Sequence, residues 1–203
     1  MWRCSLGGWR REVDDNEMER INIFDTIKEI EKKIGGLTDE GLGRTEWTWL
    51  IKKAFIELGM KHSYKVCTAR TAEQCEELTY GNITCVEWGE WLYDLVWYTE
   101  SQGEVHGEKL TISVPLVMEC EWGVGIPNMA LDFNKLLVAN ADLRVMVCGA
   151  YDKETTDNFI AYCERAVQSY QQGHIGDCFL LCLMPNEGKV IFRTIVKYEH
   201  LRG

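Results

Sequence analysis

Glu119 and Glu121 stand one residue apart at the end of an apolar run, LTISVPLVMECEWG (110–123). Alternate residues of a strand share a face, so the two carboxylates point the same way as Val117, and Cys120, Met118, Leu116 and Val114 point the other way. Charged side chains at such positions need a partner, a proton or a metal ion. A third acid, Asp94, interrupts a second apolar run, EWLYDLVWYT (90–99). Aspartate has poor strand propensity and a desolvation cost there. If the two runs are neighbouring strands, Asp94 and Glu119 meet across the ladder. Carboxylates gathered at one spot repel unless protonated or neutralised by a cation. An all-oxygen set of this kind suits Mg²⁺ or Mn²⁺. Lys135, in DFNKLL one helix later, can reach the group and position a water or stabilise charge on a phosphate. Taken singly, each acid reads as an edge-of-sheet ion pair and Lys135 as a solvated helix lysine. The metal-site reading rests on the set.

The elements that must position these residues follow from periodicity. Residues 17–34 read as a helix through Ile23, Ile27, Ile30 and Ile34, and a glycine-rich break follows at 35–43. A second helix is predicted from Thr45 to Leu58 with Gly59 as its stop. Short strand-prone pieces lie at 63–69 and 82–88, and the two strong strands at 90–99 and 111–121, with SQGEVHGE (101–108) as a hairpin loop between them. A helix then opens at IPN with Asn128 as candidate cap. A strand at 142–151 follows, then a helix ending at Gly173, and two closing strands joined by NEGK. This alternation implies a mixed sheet with helices on its faces. Trp88, Trp91 and Trp97 read as core, and Trp122 is placed to wall the site or stack on a ligand.

Composition bounds the function. Net charge is −10, which opposes nonspecific nucleic-acid binding. Residues 71–121 hold eleven acids against Lys109, 1 − 11 = −10, so the rest sums to zero. Within that rest, residues 44–70 carry Arg44, Lys52, Lys53, Lys61, Lys65 and Arg70 against Glu46 and Glu57. A basic region beside an acidic one suits a site holding a cation and a polyanion together, although a solvated face is the commoner meaning of any one charge run. Nine scattered cysteines without Cys-x-x-Cys suit a reducing cytoplasm, and no apolar run reaches membrane-spanning length. The N-terminus lacks the apolar centre of a signal peptide. Buried thiols are the default for Cys67, Cys75, Cys85, Cys178 and Cys182, and no zinc-binding spacing is present. His62, His106, His174 and His200 form no nucleophile-base spacing. Neither glycine-containing stretch matches a phosphate-binding loop.

At YDLVW, MECEW and FNKLL the sequence resembles the PD-(D/E)XK superfamily, the restriction-endonuclease-like fold, over about residues 45–150. The resemblance implies an α/β, restriction-endonuclease-like mixed β-sheet flanked by helices at 44–203, with 1–43 as an N-terminal helical extension. It implies Asp94 as the first motif acid and Glu119 with Glu121 as the second motif, a glutamate standing where many members carry lysine. Lys135 then fits the lysine that some members supply from the following helix, and Glu46 the acid that some use to complete the metal shell. Tyr93 stands where the motif name draws a proline. The implied activity is Mg²⁺- or Mn²⁺-dependent hydrolysis of DNA phosphodiester bonds. Asp94, Glu119 and the Cys120 carbonyl bind metal, Glu121 is a further ligand or water-orienting group, and Lys135 holds nucleophile or phosphate. The helix with Lys52 and Lys53 approaches the nucleic-acid backbone. A cytoplasmic protein without membrane contact is expected, with a homodimer allowed. The rival readings are a catalytically inactive member serving as a binding or assembly module, and an unrelated α/β interaction protein whose acidic segment is a solvent face.

Overall fold

A computed structural model describes residues 21–37, 43–68, 91–123, 125–185 and 188–199, and the backbone of three short strands within 79–88. The protein is α/β, with a mixed sheet covered by helices on both faces. Its order is β4-β1-β5-β6-β7-β8-β9. The strands are β1 Lys65–Thr68, β4 Val86–Trp88, β5 Leu95–Val105, β6 Glu108–Glu121, β7 Leu143–Ala150, β8 Cys178–Pro185 and β9 Ile191–Val196. β2 Thr79–Tyr80 and β3 Ile83–Thr84 form a separate pair. β5 runs antiparallel to β1 and β6, whereas β6, β7 and β8 are parallel to one another. The order of helix, three principal strands, helix and strand is consistent with a restriction-endonuclease-like arrangement.

Helices α1 Ile23–Gly35 and α2 Arg44–Lys61 cover one face of the sheet, and α3 Ile126–Val138 and α4 Lys153–Ser169 the other. Asn22 caps α1 by accepting from the Asp25 N–H at 3.2 Å, and Asp152 caps α4 by accepting from Thr155 N–H at 2.7 Å. Ile27, Ile30 and Ile34 of α1 join Ile51, Phe55 and Ile56 of α2 on Val66, Leu95, Trp97, Leu116, Met118 and Val145. On the opposite face Met129, Phe133 and Leu136 of α3 and Phe159, Cys163 and Val167 of α4 pack on Val117, Met146, Phe179 and Leu181. Each such side chain contributes about 1.5–3 kcal/mol of burial. Covered on both sides, β7 is buried at every position.

The elements depart from the sequence expectations at several places. α1 begins at Ile23, and residues 17–20 of its predicted span lie outside the described residues. Residues 101–108 are not a loop: β5 and β6 continue as a ribbon to a tight turn at His106 and Gly107, whose φ values of 57° and 84° are both left-handed. Asn128 is not the α3 cap. The cap is Gly125, at φ 98°, with Pro127 in the first turn. α4 ends at Ser169, before Gly173, because the chain turns extended at Tyr170. β5 begins at Leu95 rather than at residue 90, which leaves Asp94 in a bend. Of the three tryptophans read as core, Trp97 is fully buried and donates to the Phe55 carbonyl at 3.0 Å, Trp91 is 38% exposed, and the Trp88 side chain lies outside the described residues.

Candidate active site

The register Leu95↔Met118 places Asp94 opposite Glu119 where β5 begins and β6 ends. Two residues earlier Leu92, at φ 71°, turns the chain into the bend that delivers Asp94. Both Asp94 oxygens are engaged. Oδ2 accepts from the Cys120 N–H at 2.9 Å, and Oδ1 lies 3.0 Å from the Lys52 ammonium. Thr68 Oγ1 also donates to the Asp94 carbonyl at 2.7 Å, fixing the backbone of the bend. In a strand the N–H and C=O of one residue point to the same side, so the Cys120 carbonyl faces the edge from which Asp94 approaches.

Glu119 is 3% exposed. Burial, and then the neighbouring Asp94 charge, push its carboxyl up to about 8, with Lys135 opposing. Its Oε1 is buried without a hydrogen-bond partner and lies 3.5 Å from Lys135 Nζ. Glu121, on the same face of β6, is raised first by burial, and the Gly123 N–H, which donates to its Oε1, partly offsets this. A hydrogen bond with Asp132 raises it further. Lys135, 45% exposed, sits 2.7 Å from Asp132 Oδ1, and that contact is the main cause of its raised pKa. Asp94 and Glu119 thus face each other where β5 begins and β6 ends, Lys135 reaches Glu119, and Asp132 links Lys135 to Glu121.

Two members of the cluster were not assigned to it from sequence. Asp132 precedes Lys135 by one helical turn and touches both Lys135 and Glu121. Its signal is the D-x-x-K spacing in DFNK. Lys52 is a correction: it does not approach a nucleic-acid backbone, because its side chain is 4% exposed and paired with Asp94. Its side chain lies on the buried side of α2 with Phe55 and Ile56, a placement that tertiary packing decides. Trp122, next to Glu121, donates from Nε1 to Thr48 Oγ1 at 2.7 Å, one turn of α2 before Lys52. Glu46 is exposed in the first turn of α2, its carboxylate folded back over Gly43. Six residues before Lys52 is about 120° round the helix, so the structure does not turn Glu46 toward Asp94.

The basic stretch is also largely paired. Lys61 meets Glu29 at 2.8 Å, and Lys65 meets Glu100 at 2.8 Å. Arg44 lies over the Tyr151 ring at 5.9 Å, and Lys53 is exposed. Cys67, Cys148, Cys163, Cys178 and Cys182 are buried, whereas Cys75, Cys85 and His200 lie outside the described residues.

Among the described residues no group of three or more His, Cys, Asp and Glu side chains is already drawn together as a metal shell. The donors nevertheless fit a hard divalent cation. They are carboxylate and carbonyl oxygens, and one of them, Glu119 Oε1, is buried without a hydrogen bond. No described helix is long and apolar enough to cross a membrane. Compared with models of protein families, with curated proteins and with solved structures, the chain matches none. Fold and site together define an α/β protein whose mixed sheet carries a carboxylate–lysine cluster where β5 and β6 meet.

Proposed function

We propose that the protein is a Mg²⁺- or Mn²⁺-dependent nuclease that hydrolyses DNA phosphodiester bonds. The observation that carries this reading is the convergence of Asp94, Glu119 and Lys135, with a buried glutamate oxygen left unbonded between them. Asp94, Glu119 and the Cys120 carbonyl would hold the ion, which when bound supplies Lewis acidity toward the attacking water and the leaving oxygen. Lys135 is the half-exposed cation of the cluster and is placed to hold a phosphate oxygen. Asp132 aims it by a direct ion pair. Glu121, beside Asp132, would orient water at the rim. Trp122, pinned by Thr48, closes the α2 side. The scattered cysteines, without a Cys-x-x-Cys pair, support work in the reducing cytoplasm.

The test is cleavage of single- and double-stranded DNA with Mn²⁺ or Mg²⁺ and its arrest by EDTA, with Glu119→Ala as the ligand-loss variant. A second reading, a binding or assembly module without chemistry, is favoured by the Lys52–Asp94 pair and by the neutralised Lys61 and Lys65. Metal binding without cleavage of any substrate is its expected outcome.

A further inference from the structure

Lys52 and Lys135 reach two facing carboxylates, Asp94 and Glu119, from opposite sides of the sheet, under different constraints. Lys135 is 45% exposed and can swing into solvent when another cation arrives. Lys52 cannot, because its side chain is 4% exposed and belongs to the buried side of α2 with Phe55 and Ile56. Its ammonium lies 3.0 Å from Asp94 Oδ1, and the Cys120 N–H already takes Oδ2. Asp94 is thus hydrogen-bonded on both oxygens, whereas Glu119 Oε1 makes no hydrogen bond and has the Lys135 ammonium at 3.5 Å. A divalent ion held by Asp94 and Glu119 would carry its charge close to this fixed ammonium, and like charges repel strongly where water is excluded.

We propose that Lys52 is a resident cation of the site, whose ammonium holds the place on Asp94 that a divalent ion would take and so sets how tightly such an ion binds. This rests on the metal-site reading above and adds a brake to it. The enclosed lysine keeps the carboxylates together when no metal is bound and weakens the metal that replaces it.

The experiment is titration of the full chain with Mn²⁺, followed by calorimetry and by the paramagnetic signal of free Mn²⁺. It compares wild type with Lys52→Met, Lys52→Gln and Lys61→Met. Lys52→Gln removes the charge and keeps a polar side chain, and circular dichroism reports whether each variant is folded. Lys61, at the end of the same helix and 60% exposed, is the charge control. The expected result is Mn²⁺ binding at least about tenfold tighter in either Lys52 variant, and a change below about twofold in Lys61→Met, whose charge is screened. Equal Mn²⁺ affinity in wild type and the folded Lys52 variants overturns the brake and leaves the metal site standing. Absence of Mn²⁺ binding in wild type and in both Lys52 variants overturns the brake and the metal site together.

Discussion

The carboxylate cluster has two sides that differ in what their lysines can do. On the α2 side Lys52 is enclosed and meets Asp94 alone. On the α3 side Lys135 is half-exposed and divided between Asp132 and Glu119. An enclosed one-to-one ion pair is costly to break, because removing either partner leaves a buried charge uncompensated. An exposed shared lysine contributes little to stability but can meet a ligand. The α2 side therefore reads as the foundation of the site and the α3 side as its working edge.

The largest effect that would break this contrast is in Asp94→Ala. It strands the Lys52 ammonium and frees the Cys120 N–H, so we expect a loss of about 3–5 kcal/mol in chemical denaturation. The double variant Asp94→Ala with Lys52→Met should recover most of it. Lost cleavage in Asp94→Ala alone is consequently ambiguous between a missing metal ligand and a weakened fold. A double variant no more stable than the single one would contradict the foundation role.

The next effect concerns pH. Glu119 is raised to about 8, above its ordinary 4.5, so the folded protein binds a proton that the unfolded chain has released across that window. Stability contributed by this group is present below the unfolded value and falls as pH rises toward 8, by on the order of 2–4 kcal/mol in all. Glu119→Gln should flatten the melting temperature between pH 5 and 8.5 and leave the variant the more stable at the alkaline end. Millimolar Mn²⁺ should raise the wild-type melting temperature most at the alkaline end of that range, because the ion competes with the proton, and should not do so in Glu119→Gln. A wild-type melting profile without this slope would contradict the buried, unbonded placement of Glu119.

The smallest stability effect belongs to Lys135→Met, at below about 1 kcal/mol for an exposed lysine. A loss as large as that of Asp94→Ala would erase the distinction between the two sides.

The two sides were not equally legible in the sequence. Asp94, Glu119 and Glu121 could be brought together because strand alternation has a period of two, and a charge in an apolar strand run is conspicuous. The helical members were harder. Lys52 lies in WLIKKAF, where its neighbour Lys53 looks identical in composition, yet one is enclosed and the other exposed. Which side of α2 meets the sheet is decided by tertiary packing, and the sequence alone does not distinguish the two lysines. Asp132 was hidden by the same ambiguity. Lys135 was legible because the resemblance asked for a lysine there. The ribbon at 101–108 was misread because Ser101, Gly103 and Gly107 look like loop residues. The Glu104↔Lys109 and Val105↔Glu108 pairs carry the ladder to the turn and override that propensity.

The central claim is that the α3 side does chemistry on a phosphodiester. Its most direct test is the rate of Mn²⁺-dependent DNA cleavage by wild type and Lys135→Met, with Mn²⁺ affinity measured on the same samples. The account predicts cleavage by wild type, and a loss of about 10²–10³ in rate for Lys135→Met, the size seen when one charge-stabilising donor is removed, with Mn²⁺ affinity changed far less than the rate. Cleavage at the wild-type rate by Lys135→Met, or no cleavage by wild type with Mn²⁺ bound, would contradict it.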